Sequence, residues 1–557
     1  MPTPAEHSAS EEGPSFFARV LRNLRPSHQH TELSATLLLM VAVMLSRVIG
    51  YLREAYIAWA FGAGLHTDAY VAAFTVPDWL NYILAGGTAS ITFISIYTRH
   101  TSRGRHKAAQ DAFNSTITIM TAVVCLGTVV LEIFTPQIER LIFPHFSPEQ
   151  LQLCVHLTRV LLPGQIFFYA GGIVSAVLYS RRMFLYPALG PIIYNVFIIL
   201  GGAIGARRFG IESLAYGAFL GAVLGPFLIN AIGAARDGLT YQLNFDWRNS
   251  EFREWVRLSI PLMLGVSLVS ADDWILRYFA SGGAGDITRL NYAKRLFAVP
   301  ISILGQAAGQ ASMPFFARLF GEGKRREFAD TVNLSVYRIT AASLLATAWM
   351  MPAALPLIDL VYRRGRFSFQ DSRETAVYFF WFALSLALWS AQALYARAFY
   401  AAGDTLTAMI ASTIIVVASL PVYSAFFHRF DVTGLAMASD IGILMHTVAL
   451  VWLLGRKKLV LLGGVPWLEL TKVLGTALFA AAVCFAAGRT ITVNGSRMAD
   501  LRSLVVISVA WLAAVALGLW VTKSNLPSEL RRKKAPATPN ITAPDQMIER
   551  TTGGIEP

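Results

Sequence analysis

Residues Ser46 to Ser90 read SRVIGYLREAYIAWAFGAGLHTDAYVAAFTVPDWLNYILAGGTAS, and this stretch decides the fold class. It joins two apolar segments, each part of a run long enough to enter a bilayer, yet it carries Arg47, Arg53, Glu54, Asp68 and Asp78. A charge at membrane depth costs roughly 2.5–3.5 kcal/mol even on the lower, insertion-based scales, so such a residue normally faces a wet interior rather than lipid. One of them would be a snorkelling end; five within one helical hairpin point to a polar cavity.

The flanking chain is of the same kind. Its 557 residues are 55% hydrophobic and only 15% charged, with a mean hydropathy of +0.51. A soluble protein is about a quarter charged, so the composition is that of an all-α integral membrane protein. A net charge of +13 would also suit nucleic acid. The basic residues, however, lie in the tails and in short loops between apolar runs, where they set topology against the cytoplasmic leaflet; no nucleic-acid partner is expected. Cys125, Cys154 and Cys484 sit in apolar segments without metal-ligand spacing and read as small core residues. Residues 1–33 are polar and the first apolar run is a full span, so no cleavable signal peptide is expected.

Spans are expected at 34–61, 66–97, 113–135, 151–179, 187–206, 213–235, 256–280, 286–317, 331–361, 372–402, 406–428, 432–455, 467–488 and 500–522. Each meets or exceeds the roughly 20 residues a helix needs to cross the hydrocarbon core, and 66–97 reads as one long helix or a broken one. Residues 1–33 and 523–557 are polar tails. Fourteen spans put both tails on one side. With that side cytoplasmic, the inner loops hold Arg99, Arg103, Arg105 and Lys107, Arg181 and Arg182, Arg236, Arg248 and Arg253, Lys324 to Arg326, and Arg456 to Lys458. The outer loops hold Arg207, Arg208 and the cluster Arg363, Arg364 and Arg366, a smaller set, as the positive-inside rule requires. An internal repeat is visible: Leu178-Tyr179-Ser180-Arg181 recurs as Leu394-Tyr395-Ala396-Arg397, and Pro77, Gly87 and Arg99 are echoed by Pro300, Gly309 and Arg318. The offsets point to two pseudo-symmetric six-helix lobes, 34–235 and 256–455, followed by two added helices at 467–522. Transporters are commonly built this way, with substrate handled between the repeats.

No enzyme constellation stands out. Most of the ten histidines lie in tails or loops, with no HExxH or paired metal spacing. The run Ser281-Gly282-Gly283-Ala284-Gly285 lacks the Lys and Ser/Thr of a phosphate loop and reads as a turn. Asp272 and Asp273 are adjacent, about 100° apart on a helix, and make a poor acid/base pair. What stands out is positive charge at depth. Arg47 and Arg53 lie about 120° apart around the helix and about 9 Å along it, within reach of one wide cavity from its two flanks. Glu54 is a local partner for Arg53, and Asp68 is placed to neutralise or steer one of the arginines. In the second half Lys294 and Arg295 stand inside a span, with Asp273 and Arg277 near the end of the preceding one. Planar guanidinium groups suit bidentate capture of phosphate or carboxylate, so the cavity favours an anionic, phosphorylated substrate. The bland alternatives are an interfacial Arg53–Glu54 pair and a snorkelling Arg277. Arg397 and Asp404 bracket a helix end and read as topology or capping residues, and Asp440 as a structural hydrogen-bonding group.

These residues also resemble a known family. SRVIGYLR at 46–53, FGAG at 61–64, TDAY at 67–70 and FTVP at 74–77 are similar to the first helical hairpin of the MurJ/MviN family, lipid II flippases of the multidrug/oligosaccharidyl-lipid/polysaccharide exporter superfamily. YAKRL at 292–296, RGRF at 364–367 and ARAFYAAGDT at 396–405 extend the likeness. The resemblance implies fourteen helices and a transporter, not an enzyme, of the bacterial cytoplasmic (inner) membrane. It implies lipid II as substrate, moved from inner to outer leaflet for peptidoglycan synthesis and cell shape, with membrane lipids and cell-wall synthesis proteins as partners. It places the head-group site at Arg47, Arg53 and Arg295, with Asp68 as the hairpin acid. Two departures bear on substrate: the family's usual arginine pair and glutamate in the second helix are Asn81, Tyr82 and Gly86 here. Some members bind a cation at the eleventh helix, where this chain has Ser419 and Tyr423. Coupling is therefore left between the membrane potential and a monovalent cation, with no cofactor or metal site expected. The alternatives are a flippase for another undecaprenyl-linked saccharide and a scaffold that binds the lipid precursor without moving it.

Overall fold

The computed structural model describes residues 32–84, 88–263, 268–491, 493 and 495–531, all helix or connecting turn. Most of both polar tails, and Gly86, lie outside the described residues. Eight helices among those described are long and apolar enough to cross a membrane, and ten when each of two sharply bent pairs counts as one span. The described part of each of the fourteen expected segments nevertheless falls on helical chain, because several are not single straight rods.

The second segment shows why. It runs as α2 (Leu65–Ala72), α3 (Thr75–Leu84) and α4 (Thr88–Ser102), after α1 (Glu32–Phe61). Pro77 has no N–H to give the carbonyl of Ala73, which weakens the chain at the break just before α3; that carbonyl lies 3.3 Å from the Thr158 hydroxyl instead. At the other extreme, one helix is assigned over 52 residues, Thr405–Arg456. At about 1.5 Å per residue it would be about 78 Å long, far more than a bilayer core. Asp431, with φ 54° and ψ −146°, breaks it into the two expected passes. The span over residues 286–317 is helix to Pro300 and a π-helix over Ile301–Ala307, again beside a proline.

The first half comprises α1 to α4, α5 (His106–Ile142), α6 (Pro148–Leu161), α7 (Gly164–Ser180), α8 (Leu185–Phe209) and a sixth pass of α9 (Glu212–Ala222) and α10 (Asn230–Arg236). Small residues let α8 and α9 close up: a methyl added at Gly201 would sit 2.7 Å from Gly217 Cα. The second half comprises α12 (Leu268–Phe279), α13 (Asp286–Pro300), α14 (Ala308–Gly321), the bent pairs α15 (Arg325–Met350) with α16 (Ala354–Tyr362) and α17 (Phe369–Leu384) with α18 (Leu386–Ala401), and α19 (Thr405–Arg456). The seventh pass is divided between the halves. Its first part, α11 (Ser250–Met263), packs on α4 and α5, while α12 packs on α19. The two last helices, α20 (Trp467–Gly488) and α21 (Arg497–Val521), lie against α15 and α16. Two indole N–H groups tie α21 to α15: Trp511 donates to Leu345 O at 2.8 Å and Trp349 to Ser508 Oγ at 3.0 Å.

The buried apolar residues show how the halves meet. One large cluster runs through both, from Ile57, Tyr70 and Phe143 to Ala280, Tyr292, Tyr362 and Val432. All these residues lie toward the turns that follow odd-numbered passes. At the opposite membrane face there are two separate clusters, one around Phe93, Tyr97 and Tyr186, the other around Phe316, Phe328 and Leu394. The halves are thus welded at one face and parted at the other. The weld carries polar ties. Asp68, 0% exposed, accepts hydrogen bonds from Gly285 N (2.5 Å), Thr288 N (2.8 Å) and Thr288 Oγ1 (2.6 Å) at the start of α13. Arg366 N donates to Trp59 O at 3.0 Å, through a turn whose Gly365 has φ +55° and leaves no room for a side chain above Trp59.

Asp68→Ala leaves two buried N–H groups without an acceptor, at about 1–3 kcal/mol each. Melting of the purified protein in detergent is expected several degrees below wild type, with Asp68→Asn between them because an amide oxygen still accepts. An unchanged melting temperature for Asp68→Ala would show that the tie does not hold the weld.

Candidate functional site

Between the two separated clusters lies a cavity of about 1110 Å³. α1 contributes Arg47, Tyr51, Arg53 and Glu54, and α3 contributes Tyr82. The second half contributes Asp273, Asn291, Lys294 and Arg295, and toward the parted face Gln392, Arg397, Tyr400 and Thr405. A smaller chamber of about 330 Å³ lies on the welded side and shares Arg53, Glu54, Asn291 and Arg295 with the large one; Asp78, Asn81, Gln165 and Arg277 line it too. Arg53 and Arg295 therefore stand at the junction of two chambers, one from each half.

The charges are not balanced. Five basic side chains (Arg47, Arg53, Lys294, Arg295 and Arg397) and two carboxylates (Glu54 and Asp273) line the large cavity. Both carboxylates are already committed: Glu54 pairs with Arg53, and Asp273 lies 2.5 Å from Lys294 Nζ. Among the described residues no carboxylate pairs with Arg47, Arg295 or Arg397. A surplus of three positive charges faces the space, which can be relieved by water or by an anionic ligand.

The expected site residues divide into two groups. Arg47, Arg53 and Arg295 come together in one cavity, as do Asp273 and Lys294. Arg53 is oriented by Asn195, whose Oδ1 accepts from Nη1 at 2.8 Å, and by Glu54. Asp68 does not reach the cavity and steers no arginine; its carboxylate is consumed by the start of α13. Arg277 does not snorkel. Its side chain is 9% exposed and it ties α12 to α3, donating to Thr75 Oγ1 at 3.0 Å with Asp78 at 3.4 Å. Asp272 and Asp273, a poor pair for acid/base work, instead bracket Lys294.

Where the sequence departs from the family hairpin, Asn81 donates to Gln165 Oε1 at 3.0 Å in the small chamber. Tyr82 faces the large cavity and meets Trp274 edge-on, with ring centroids 5.7 Å apart. Arg397 was missed in the sequence because it sits near a helix end. The structure turns it into the cavity, its Nη1 donating to Ala393 O at 3.0 Å. Gly309 on α14 makes the room: a methyl there would stand 2.6 Å from Arg397 Cδ. The repeat gave no signal, because it equates Arg397 with Arg181, which pairs with Asp237 instead of facing the cavity. Asp404, by contrast, is the helix cap it was expected to be, accepting from Thr407 N at 3.2 Å and pairing with Lys457. Against the upward pull of partial burial, Lys457 and Thr407 hold its carboxyl below the usual range.

A cavity lined from both halves and rich in unpaired cations can hold a large anionic group. Comparison with known proteins agrees. Residues 57–505 match the family model described as "Lipid II flippase MurJ". A "Lipid II flippase MurJ" of Burkholderia cenocepacia is 25% identical over 499 residues, covering 86% of this chain and 95% of that protein. A "Probable lipid II flippase MurJ" of Synechocystis sp. is 24% identical over 496 residues, covering 86% and 91%. Among solved structures, "Lipid II flippase MurJ, inward closed conformation" superposes with a TM-score of 0.71 at 19% identity, covering 87% of this chain and 99% of that one. An inward-facing multidrug resistance MATE family transporter of the MOP superfamily superposes with a TM-score of 0.61 at 17% identity, covering 76% and 98%. The chain is a multi-pass membrane transporter, not an enzyme, and it belongs to the MurJ family of lipid II flippases.

Proposed function

We propose that this protein moves lipid II itself from the inner to the outer leaflet of the bacterial cytoplasmic membrane. The observation that carries this is the surplus of cations from both halves around one cavity of about 1110 Å³, at the upper end of the range of known ligand pockets. Arg47 and Arg295 take the pyrophosphate, the group that needs two or more planar cations, and Arg53, braced by Asn195 and Glu54, orients it at the mouth of the small chamber. Arg397 faces the sugar and peptide portion nearer the parted face. The polyprenyl tail stays in lipid.

The parted face carries the more basic turns, which supports a cytoplasmic position for it and for both termini. Head group enters there, and rocking of the halves breaks the weld on the other side. The interactions that must exchange are Asp68 with α13, Arg366 with Trp59, and Arg277 with Asp78. Binding an anion relieves the cationic surplus and favours closure around it. The empty cationic cavity then returns with help from the membrane potential, each elementary charge crossing the field contributing about 2.3 kcal/mol per 100 mV. A second substrate, another polyprenyl-pyrophosphate saccharide, is favoured by Asn81 and Tyr82, which supply an amide and an aromatic ring where arginines are usual.

Cells depleted of their own lipid II flippase and supplied with this chain are expected to recover lipid II at the outer leaflet. Recovery absent despite stable insertion would remove lipid II as the substrate. Loss of one charge-assisted contact of about 1.5–3 kcal/mol weakens binding about 10- to 100-fold, so Arg47→Ala and Arg295→Ala should each reduce lipid II export by at least about tenfold. Full export in both variants would remove the cationic mechanism.

Gly309→Ala is expected to insert normally, because the atoms it meets are the flexible end of Arg397, but to export less by pushing that guanidinium off its position. Export equal to wild type, together with normal export by Arg397→Ala, would exclude Arg397 from the path.

A further inference from the structure

Two buried hydrogen-bonding side chains on the wall of the large cavity take no part in its charge pattern. Trp389 on α18 and His446 on α19 both line it, 5% and 4% exposed. The indole Nε1 of Trp389 and both ring nitrogens of His446 are buried without a hydrogen-bond partner among the described residues. They flank the contact that joins their helices, where the Thr447 hydroxyl donates to Leu388 O at 3.3 Å. Buried polar groups are normally paired, so two left open on one cavity wall are available to what enters it. Packing fixes their depth. Ser390, beside Trp389, lies against Gly305, where an added methyl would stand 3.3 Å from Ser390 Cα, and Arg397 lies against Gly309. Gly305 and Gly309 follow Arg295 in the same span, so Trp389 stands between Arg295 and Arg397. Over that interval the lining from the spans at 286–317 and 372–402 is uncharged and includes Ser302, Gln306 and Gln392. The wall thus passes from a cationic zone through a neutral hydrogen-bonding zone to a single cation.

We propose that Trp389 and His446 form a subsite for an amide carbonyl of the head group, the indole and the imidazole each donating to its oxygen. A carbonyl oxygen has two lone pairs and no proton, which matches two N–H donors; a hydroxyl brings a proton that an indole cannot accept. A ligand whose pyrophosphate lies at Arg295 lays its uncharged part across this zone before reaching Arg397. Without a matching acceptor the two donors stay buried and unpaired, so the site discriminates against head groups that lack the amide. The inference rests on reading the cavity as a head-group site and adds which uncharged group that site selects.

The test measures equilibrium binding of four probes to the full-length protein in detergent. They are polyprenyl pyrophosphate alone and the same lipid carrying a sugar with hydroxyls only, a sugar with an acetamido group, or that acetamido sugar with a peptide. Wild type should bind an amide-bearing probe about tenfold more tightly than the hydroxyl-only sugar. A preference already present with the acetamido sugar assigns the carbonyl to the sugar, and one that appears only with the peptide assigns it to the peptide. Trp389→Phe, which keeps an aromatic ring and removes the N–H, and His446→Phe should each cut the preference to about twofold or less. Binding of polyprenyl pyrophosphate itself reports that each variant is folded. Full preference retained in either folded variant would overturn the subsite. A wild type that binds polyprenyl pyrophosphate but prefers neither amide-bearing probe would also overturn it, without recourse to any variant. A wild type that binds none of the four would instead overturn the head-group reading, and the subsite with it.

Discussion

Unpaired positive charge held at the depth of a hydrocarbon core is the constraint on which the rest of this structure depends. Arg47, Arg295 and Arg397 have no carboxylate partner among the described residues, so they are tolerable only if they share a space that water or an anion can fill. That requirement divides the molecule into two halves with a cavity between them. It also requires those halves to be held somewhere else, and the apolar cluster running through both, with Asp68 sewn into the start of α13, does this at one face. The parted face follows, since a second weld would seal the charges away from both solvent and substrate.

The two kinds of charge in the molecule behave according to their partners. Arg277, Lys294 and Asp68 are buried in closed sets of donors and acceptors and act as joints between helices. Arg47, Arg295 and Arg397 are left open and are available to a ligand. Removing one member of a closed set strands its partners, whereas removing an open cation costs the fold little and the ligand much. Arg53 belongs to both kinds: it is braced by Asn195 and Glu54 yet lines both chambers.

This distinction explains what was legible in the sequence. An arginine flanked by apolar residues is conspicuous because its cost is local, and this marked Arg47; the grouping of Arg47, Arg53 and Arg295 in one site came from the family resemblance. The span pattern was legible for the same reason, though the sequence left open whether residues 66–97 form one long helix or a broken one. The fate of Asp68, Arg277 and Lys294 was not legible. Whether a charge is spent on a neighbour depends on residues some 20 to 220 positions away, such as Asp272 for Lys294 and Thr288 for Asp68. Arg397 was hidden differently, its position near a helix end matching an ordinary topological arginine until the space opposite Gly309 was seen. The division of the seventh pass between the halves lies in packing alone and leaves no mark on hydropathy.

The central claim is that one cationic cavity faces the two sides of the membrane in turn. Ala298 lines that cavity one turn from Arg295. With Cys125, Cys154 and Cys484 replaced and a single cysteine placed at 298, labelling by a membrane-impermeant thiol reagent from each side reads the cavity's exposure directly. In energised cells making lipid-linked precursor, the cysteine should label from outside as well as inside, and blocking precursor synthesis should confine labelling to the inside. Labelling from the inside alone, whatever the energisation and precursor supply, would contradict alternating access and leave a protein that binds the precursor without moving it.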